Sequence, residues 1–416
     1  MSLPRGLRDI EPEEYEVFEF IRETFKEVTR IFNFKLMEPS TIEFLSTLEA
    51  KSGEAIKNEI YHFKDKSGRE IALRFDLTVG LTRYVTQRRE LSIPVKVGSF
   101  GGMWRYDEPQ FARYRWFHQW DVEIFDDKNP YYDAEIINFA YTLFKKLGLK
   151  IKIEIGDRRI IEEYLLKHLK VEDYEKRINM MRALDKASKK EFEEIQREYQ
   201  DKGVDKELLK ALFDFAKLKG DKVLKNLEEY KLETKNITHL MDLLTNMGID
   251  FELNFGIVRG LDYYNGFVFE IFDENNKDLG ALAGGGRYDI LPKIFGREDL
   301  GATGVAGGIE RTVLALKREN FKIPYSFKRV FIAYLPPLTK EAFKICSELK
   351  KNSISCEVLP FERSLKKQLA YANKFNFDYT IILVPKEFSE GRIIVKDMKK
   401  GEEELLTLSN LLEFLS

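Results

Sequence analysis

The eight residues Arg259-Gly260-Leu261-Asp262-Tyr263-Tyr264-Asn265-Gly266 set a guanidinium, a carboxylate and two adjacent phenols between glycines. An exposed loop has little use for two tyrosines, and a plain core strand would not carry arginine and aspartate beside them. Buried phenols and guanidinium groups need hydrogen-bond partners, so the mixture suits a polar ligand bearing ring donors or acceptors. A second constellation, Trp104–Glu123, reads WRYDEPQFARYRWFHQWDVE. It offers Arg105, Arg113, Arg115 and Gln119 among aromatic residues, with acids at Asp107, Glu108, Asp121 and Glu123. Strand alternation puts Arg105 and Asp107 on one face, and likewise groups Phe117, Gln119, Asp121 and Glu123. Such a face presents guanidinium groups to phosphates and an aromatic ring to a purine.

Gly301–Arg311, GATGVAGGIER, invites a phosphate-loop reading that its residues do not support. It lacks the lysine and Ser/Thr pair after the glycines and does not fit GxGxxG. Close packing of a strand on a helix would also explain the glycines. Arg311, following Glu310 at a helix start, adds a cation near backbone N–H groups that favour anions. The four histidines, His62, His118, His168 and His239, show no metal-ligand spacing and read as packing or surface residues. No metal site from protein side chains is expected.

The elements that must position these groups can be read from periodicity. Residues 13–34 have a helical period, and strand-like runs follow at Phe34–Met37, Ile71–Phe75, Val95–Phe100 and Phe117–Phe125. A helix over Tyr132–Leu147 ends at Gly148, and 149–155 alternate as a half-buried strand. From 158 to 246 the texture is Lys/Glu-rich and helical, which predicts an inserted helical module. Strand character returns at Phe251–Gly256 and Gly266–Phe272, whereas Ala283–Tyr288 and Gly301–Gly308 read as glycine-dense loops. Beyond Tyr325, strands at Val330–Leu335, 354–359 and Tyr379–Val384 alternate with helices over 339–351 and 363–374. That order predicts a compact α/β domain with a largely parallel sheet.

With 416 residues the chain exceeds one ordinary core, so two or three domains are expected. A net charge of −2 removes the blanket basic signature of a nucleic-acid-coating protein but leaves room for a local patch. Cys346 and Cys356 are the only cysteines, which excludes a disulfide framework and a four-cysteine metal site. The charged opening has no apolar run of signal-peptide length, and no stretch approaches the roughly 18 apolar residues of a membrane span. A cytoplasmic protein with no membrane partner is expected.

Taken in order, these segments resemble the histidyl-tRNA synthetases of the class II aminoacyl-tRNA synthetase family. Phe34–Ser40 is similar to motif 1, with Pro39 as its proline; 104–123 to motif 2; and 301–311 to motif 3. RGLDYYNG and Ala283–Asp289 are similar to the two histidine-specific loops. The likeness extends to the opening Pro4-Arg5-Gly6-Leu7-Arg8-Asp9 and to the C-terminal domain. It implies an α+β protein: an antiparallel-sheet catalytic domain over 1–325, a helical insertion at 158–246, and an α/β anticodon-binding domain over 326–416.

The resemblance also implies roles. Arg105 would contact the α-phosphate of ATP and the amino-acid carboxylate, Asp107 the adenine amino group, and Phe117 the adenine ring. Arg113 and Arg311 would hold the outer phosphates. Asp76, Leu77 and Thr78 would surround the α-amino group of histidine, and Gln119 would bind its main-chain groups. Glu123 and Tyr264 would take the two ring nitrogens, with Tyr263 beside them and Tyr288 closing the pocket. Arg259, with Arg105, would be catalytic, because attack of a carboxylate on a phosphate accumulates negative charge that a fixed guanidinium stabilises. Two positions depart from the common pattern: Ala112 replaces a glycine, and Asp76 replaces a glutamate. The implied reaction is ATP-dependent ligation of histidine to tRNA(His) by a homodimer, with ATP entering as its Mg2+ complex and no tightly bound cofactor. Two other readings fit parts of the pattern, a synthetase-like regulatory subunit that does not charge tRNA and a class II synthetase for another amino acid.

Overall fold

The computed structural model describes residues 2–52, 54–106, 108, 114–188, 190–218, 222–258, 264–324, 328–360 and 364–415. The chain divides into one unit over Met1–Phe321 and a second over Lys322–Ser416.

The first unit is built on an eight-stranded sheet. Its strands run in the spatial order Lys35–Leu36, Val95–Trp104, Trp116–Asp126, Gly301–Gly308, Ala281–Arg287, Phe267–Asp273, Ile151–Asp157 and Glu252–Leu253. The central pairings are antiparallel, and only the two short edge strands join in parallel. One face is closed by the helices Pro12–Ile31 and Pro130–Lys146. Trp120 points to that side and meets Phe25 at 6.0 Å and Phe139 at 6.1 Å between ring centroids. All three rings are buried, each worth about 1.5–3 kcal/mol of burial.

Local chemistry explains the helix ends. Pro12 occupies the first helical turn with Glu13 and Glu14 beside it, where acids favour the positive end of the helix dipole. The second helix starts with the Asn129 side chain accepting from Tyr131 N–H and stops at Gly148, whose φ of +80° suits the left-handed position after a helix.

Two segments that read as glycine-dense loops are central strands. Ala281–Arg287 pairs with both Phe267–Asp273 and Gly301–Gly308, and the latter also pairs with Trp116–Asp126. Glycine has poor intrinsic strand propensity, but here close approach of neighbouring side chains demands it. A Cβ on Gly307 would lie 2.3 Å from the Trp120 ring.

A small three-stranded sheet, Ile42–Phe44, Glu70–Leu73 and His62–Lys64, stands apart from the large one. Among the described residues six α-helices, from Arg158–Lys167 to Lys235–Asn246, fall in sequence between the strand Ile151–Asp157 and the edge strand Glu252–Leu253. Among the described residues no helix is long and apolar enough to cross a membrane.

The second unit carries a five-stranded sheet in the order Ser355–Val358, Arg329–Tyr334, Tyr379–Leu383, Arg392–Asp397 and Glu403–Thr407. Its first three strands are parallel, as the alternation predicted. The last two add an antiparallel hairpin that the sequence reading did not include. The sheet is therefore mixed.

Candidate active site

The other face of the large sheet, partly covered by the helix Thr78–Thr86, carries two adjoining cavities. The smaller, about 60 Å³, is lined by Asp76, Thr78, Arg105, Gln119, Glu123, Tyr264, Tyr288 and the backbone of Gly304. The larger, about 220 Å³, is lined by Arg105, Tyr114, Phe117, Gln119, Glu270, Glu310 and Arg311. Arg105 and Gln119 belong to both walls.

The strand Trp116–Asp126 supplies Phe117, Gln119 and Glu123 because alternate side chains share a face. Register decides what each one meets. Glu123 is opposite Gly304 and Gln119 opposite Gly308. A Cβ on Gly304 would fall 1.4 Å from Glu123 Oε2, so the carboxylate lies across the strand only because residue 304 lacks a side chain. Glycine backbone lines both cavities, with Gly284 in each, Gly304 in the smaller and Gly308 in the larger. The Gln119 Oε1 atom is buried with no hydrogen-bond partner among the described residues. A buried amide oxygen in that state favours a ligand that donates to it.

Asp76 and Thr78 sit where a helix begins. Asp76 Oδ1 accepts from Val79 N–H at 3.2 Å, and Thr78 Oγ1 lies 3.2 Å from Asp121 Oδ2. Arg105, just past the strand Val95–Trp104, donates from Nε to the Phe75 carbonyl at 3.1 Å, with its guanidinium carbon 5.0 Å from the Phe117 ring centroid. Leu77 is fully buried in the core behind this turn and does not line the cavities. Arg311, in the first turn of the helix Ile309–Arg318, donates to the Ala281 carbonyl at 2.9 Å.

Tyr264 and Tyr288 meet edge to face at 6.4 Å. Their backbones are knit together. Asn265 N–H donates to the Arg287 carbonyl at 3.0 Å, and Asp289 N–H donates to Asn265 Oδ1 at 3.0 Å. Beneath them Arg287, buried, pairs with Asp133 at 2.6 Å, Asp289 at 3.1 Å and Asp126 at 3.2 Å. Burial opposes the Arg287 charge, but these carboxylates outweigh it and hold its pKa above the ordinary value. Burial pushes the Asp133 carboxyl up to about 6, against the pull of Arg287.

The structure thus brings Asp76, Thr78, Arg105, Phe117, Gln119, Glu123, Tyr264, Tyr288 and Arg311 to the walls of the two cavities. Asp107, Ala112, Arg113, Arg259 and Tyr263 lie outside the described residues. Among the described residues, three polar side chains that line the larger cavity drew no role from the sequence: Tyr114, Glu270 and Glu310. Glu270 had a legible signal, an acid flanked by apolar residues in the middle of the strand Phe267–Asp273. Glu310 accepts from His118 N–H at 3.0 Å and approaches His118 Nδ1 at 3.3 Å. That histidine packs on Phe18 at the face opposite Gln119, yet it touches a cavity residue through Glu310. No group of three or more His, Cys, Asp or Glu side chains suited to a metal ion occurs among the described residues.

Comparison with known proteins agrees with the geometry. A family model described as histidyl-tRNA synthetase matches residues 6–312, and one described as an anticodon binding domain matches 329–416. A histidine–tRNA ligase of Methanosarcina acetivorans is 34% identical over 420 residues, covering 99% of this chain and 98% of the relative. One from Pyrococcus furiosus is 35% identical over 434 residues, covering 99% and 98%. In fold, the chain is similar to the crystal structure of histidyl-tRNA synthetase from Nostoc sp. PCC 7120, with a TM-score of 0.82 at 22% identity over 100% of this chain and 98% of the other. A Bacillus halodurans structure, titled as an ATP phosphoribosyltransferase regulatory subunit/histidyl-tRNA synthetase, aligns at a TM-score of 0.74 and 20% identity, covering 92% of this chain and 97% of that one. Fold alone therefore does not separate a ligase from a regulatory relative, whereas the sequence matches do. The chain belongs to the histidyl-tRNA synthetase family.

Proposed function

We propose that the two cavities divide the work of a histidine–tRNA ligase, the smaller holding histidine and the larger holding ATP. The chain activates histidine with ATP to histidyl-adenylate and transfers the histidyl group to the 3' end of tRNA(His). The observation that carries the division is the pairing of Glu123 and Tyr264 around a cavity of about 60 Å³. A neutral imidazole presents one donor and one acceptor, and a carboxylate with a phenol satisfies both. Asp76 and Thr78, which line the same cavity, suit the α-ammonium group, and Gln119 suits the main-chain groups.

In the first step an oxygen of the histidine carboxylate attacks the α-phosphorus of ATP, and the bond to the bridging oxygen breaks to release pyrophosphate. Arg105 sits in both walls, where carboxylate and α-phosphate would meet. Arg259 adds the second cation for the charge that develops there. Phe117 stacks on adenine with Asp107 reading its amino group, while Arg113 and Arg311 hold the outer phosphates. ATP enters as its Mg2+ complex, a substrate. In the second step a hydroxyl of the terminal adenosine of tRNA attacks the carbonyl carbon, and AMP leaves. A pocket that hydrogen-bonds a distinctive ring rejects analogues lacking it by roughly 10⁴–10⁵, so no editing site is needed.

The second unit serves tRNA, with Lys366, Lys367 and Lys374 exposed on the helix Leu365–Lys374; Arg363 lies outside the described residues. The active form is a homodimer. Phe44, Ile71 and Phe63 are direct cross-strand partners on the small sheet, and both phenylalanines are about half exposed (52% and 45%). Such an apolar row favours burial by a partner. Arg74, buried, ties Pro39 and Glu38 of the expected interface segment to the Gly102 carbonyl of the active-site hairpin. Free buried Cys346 and Cys356 suit a reducing cytoplasm. ATP–pyrophosphate exchange with each of the twenty amino acids tests the assignment. Exchange should depend on histidine alone, and exchange driven by another amino acid would overturn it.

A further inference from the structure

The opening segment Pro4–Asp9 has no part in the mechanism above, yet its contacts converge on the nucleotide end of the cleft. The Gly6 carbonyl accepts from Arg115 N–H at 2.9 Å, and the Arg115 carbonyl accepts from Arg105 N–H at 3.0 Å. The arm therefore joins the loop end of the hairpin that carries Phe117 and Gln119. Arg5 pairs with Glu108, but both are well exposed, and such a pair contributes little.

Arg8 differs. Its side chain is only 23% exposed, its guanidinium carbon lies 4.3 Å from the Tyr114 ring centroid, and its Nη2 is 2.5 Å from Glu14 Oε1. Glu14 in turn is 3.3 Å from Lys317, on the helix whose first turn carries Glu310 and Arg311. Tyr114, Glu310 and Arg311 all line the larger cavity. The hydrogen bond from Arg8 holds the Glu14 carboxyl below the usual carboxylate range, consistent with a standing pair. A cation spread over a ring face, with its far side fixed by a carboxylate, leaves that ring one preferred setting.

We propose that Arg8 is a positioning residue for ATP, holding the Tyr114 ring against the nucleotide cavity and coupling it through Glu14 and Lys317 to the helix that bears Arg311. The proposal rests on the assignment of the larger cavity to ATP. It adds that an arm remote in sequence from every binding motif sets nucleotide affinity.

The test is ATP–pyrophosphate exchange on the full-length protein, with KM measured separately for ATP and histidine. Arg8→Met, which keeps length without charge, should raise the KM for ATP about five- to tenfold. The KM for histidine and the melting temperature should stay near wild type. Arg8→Lys keeps a cation for Glu14 and the ring, and should recover most of the loss. Tyr114→Ala should also raise the KM for ATP, and the double variant should be little worse than either single one, because both remove the same contact. Phe117→Ala checks the cavity assignment independently. A higher KM for ATP there with none in Arg8→Met overturns the role of Arg8 alone; no change in either overturns the ATP assignment as well. Equal rises for ATP and histidine, or effects of Arg8 and Tyr114 that multiply, would also overturn it.

Discussion

Glu123 and Gly304 occupy one another's space: the carboxylate oxygen lies 1.4 Å from where a Cβ on residue 304 would be. Gly304→Ala should therefore swing Glu123 out of the smaller cavity and cost the ring contact without touching the nucleotide. A hydrogen bond to a charged group contributes about 1.5–3 kcal/mol, or roughly a 10–100-fold rise in the KM for histidine. Glu123→Gln should act in the same direction, weakening histidine selection more than turnover at saturation. Steady-state exchange kinetics decide it, and an unchanged KM for histidine in Gly304→Ala would remove Glu123 from the pocket.

Arg259 is expected to act on rate. Arg259→Ala should slow adenylate formation by about 10²–10³, equivalent to roughly 3–4 kcal/mol of transition-state stabilisation. Histidine affinity should fall less, since Glu123, Tyr264, Asp76 and Thr78 remain. Rapid-quench measurement of adenylate formation on the folded variant is the check. A near-normal rate with lowered thermal stability would mean that Arg259 only holds its loop.

The carboxylates around Arg287 give the fold a distinctive pH response. Asp133 titrates near about 6 in the fold, raised by burial against the pull of Arg287, whereas in the unfolded chain it titrates near about 4. A carboxyl with a raised folded pKa binds its proton more tightly when folded. Its contribution to stability therefore grows as pH falls from about 6 to about 4 and is lost as pH rises through about 6. Asp133→Asn cannot titrate, so the stability of wild type relative to this variant should be greater at pH 5 than at pH 7.5. Urea midpoints at the two values measure it; a constant difference would contradict the shift.

Removing the cation itself should be severe. Arg287→Met leaves Asp126, Asp133 and Asp289 without their buried partner, at a cost of about 3–5 kcal/mol. Because the Arg287 backbone also anchors Asn265, histidine affinity should decline in whatever fraction still folds. An unfolding free energy within about 1 kcal/mol of wild type would show that the cluster is held by something else.

The small sheet makes the dimer testable. Phe44→Asp should place a charge in the apolar row and give a monomer mass by light scattering at micromolar concentration, with loss of exchange activity. A wild-type protein that is itself monomeric at that concentration would count against the dimer directly.

The sequence by itself determined the order of the motifs and which side chains share a face. Strand alternation is local, so Phe117, Gln119, Asp121 and Glu123 could be grouped from spacing. The family likeness, too, was readable from residue types and their order. Tertiary structure decided who faces whom. The glycine runs at 283–288 and 301–308 carry no local strand signal; the bulk of Glu123 and Trp120 on the neighbouring strand shows why glycine is needed at 304 and 307, and close backbone approach shows it at 285 and 286. The contact of Thr78 with Asp121, the three carboxylates around Arg287 and the reach of Arg8 to Tyr114 span 43, 161 and 106 residues of sequence at most. Side-chain period says which face a residue takes, but register between distant strands is set by the packing of the whole sheet, and no local pattern encodes it.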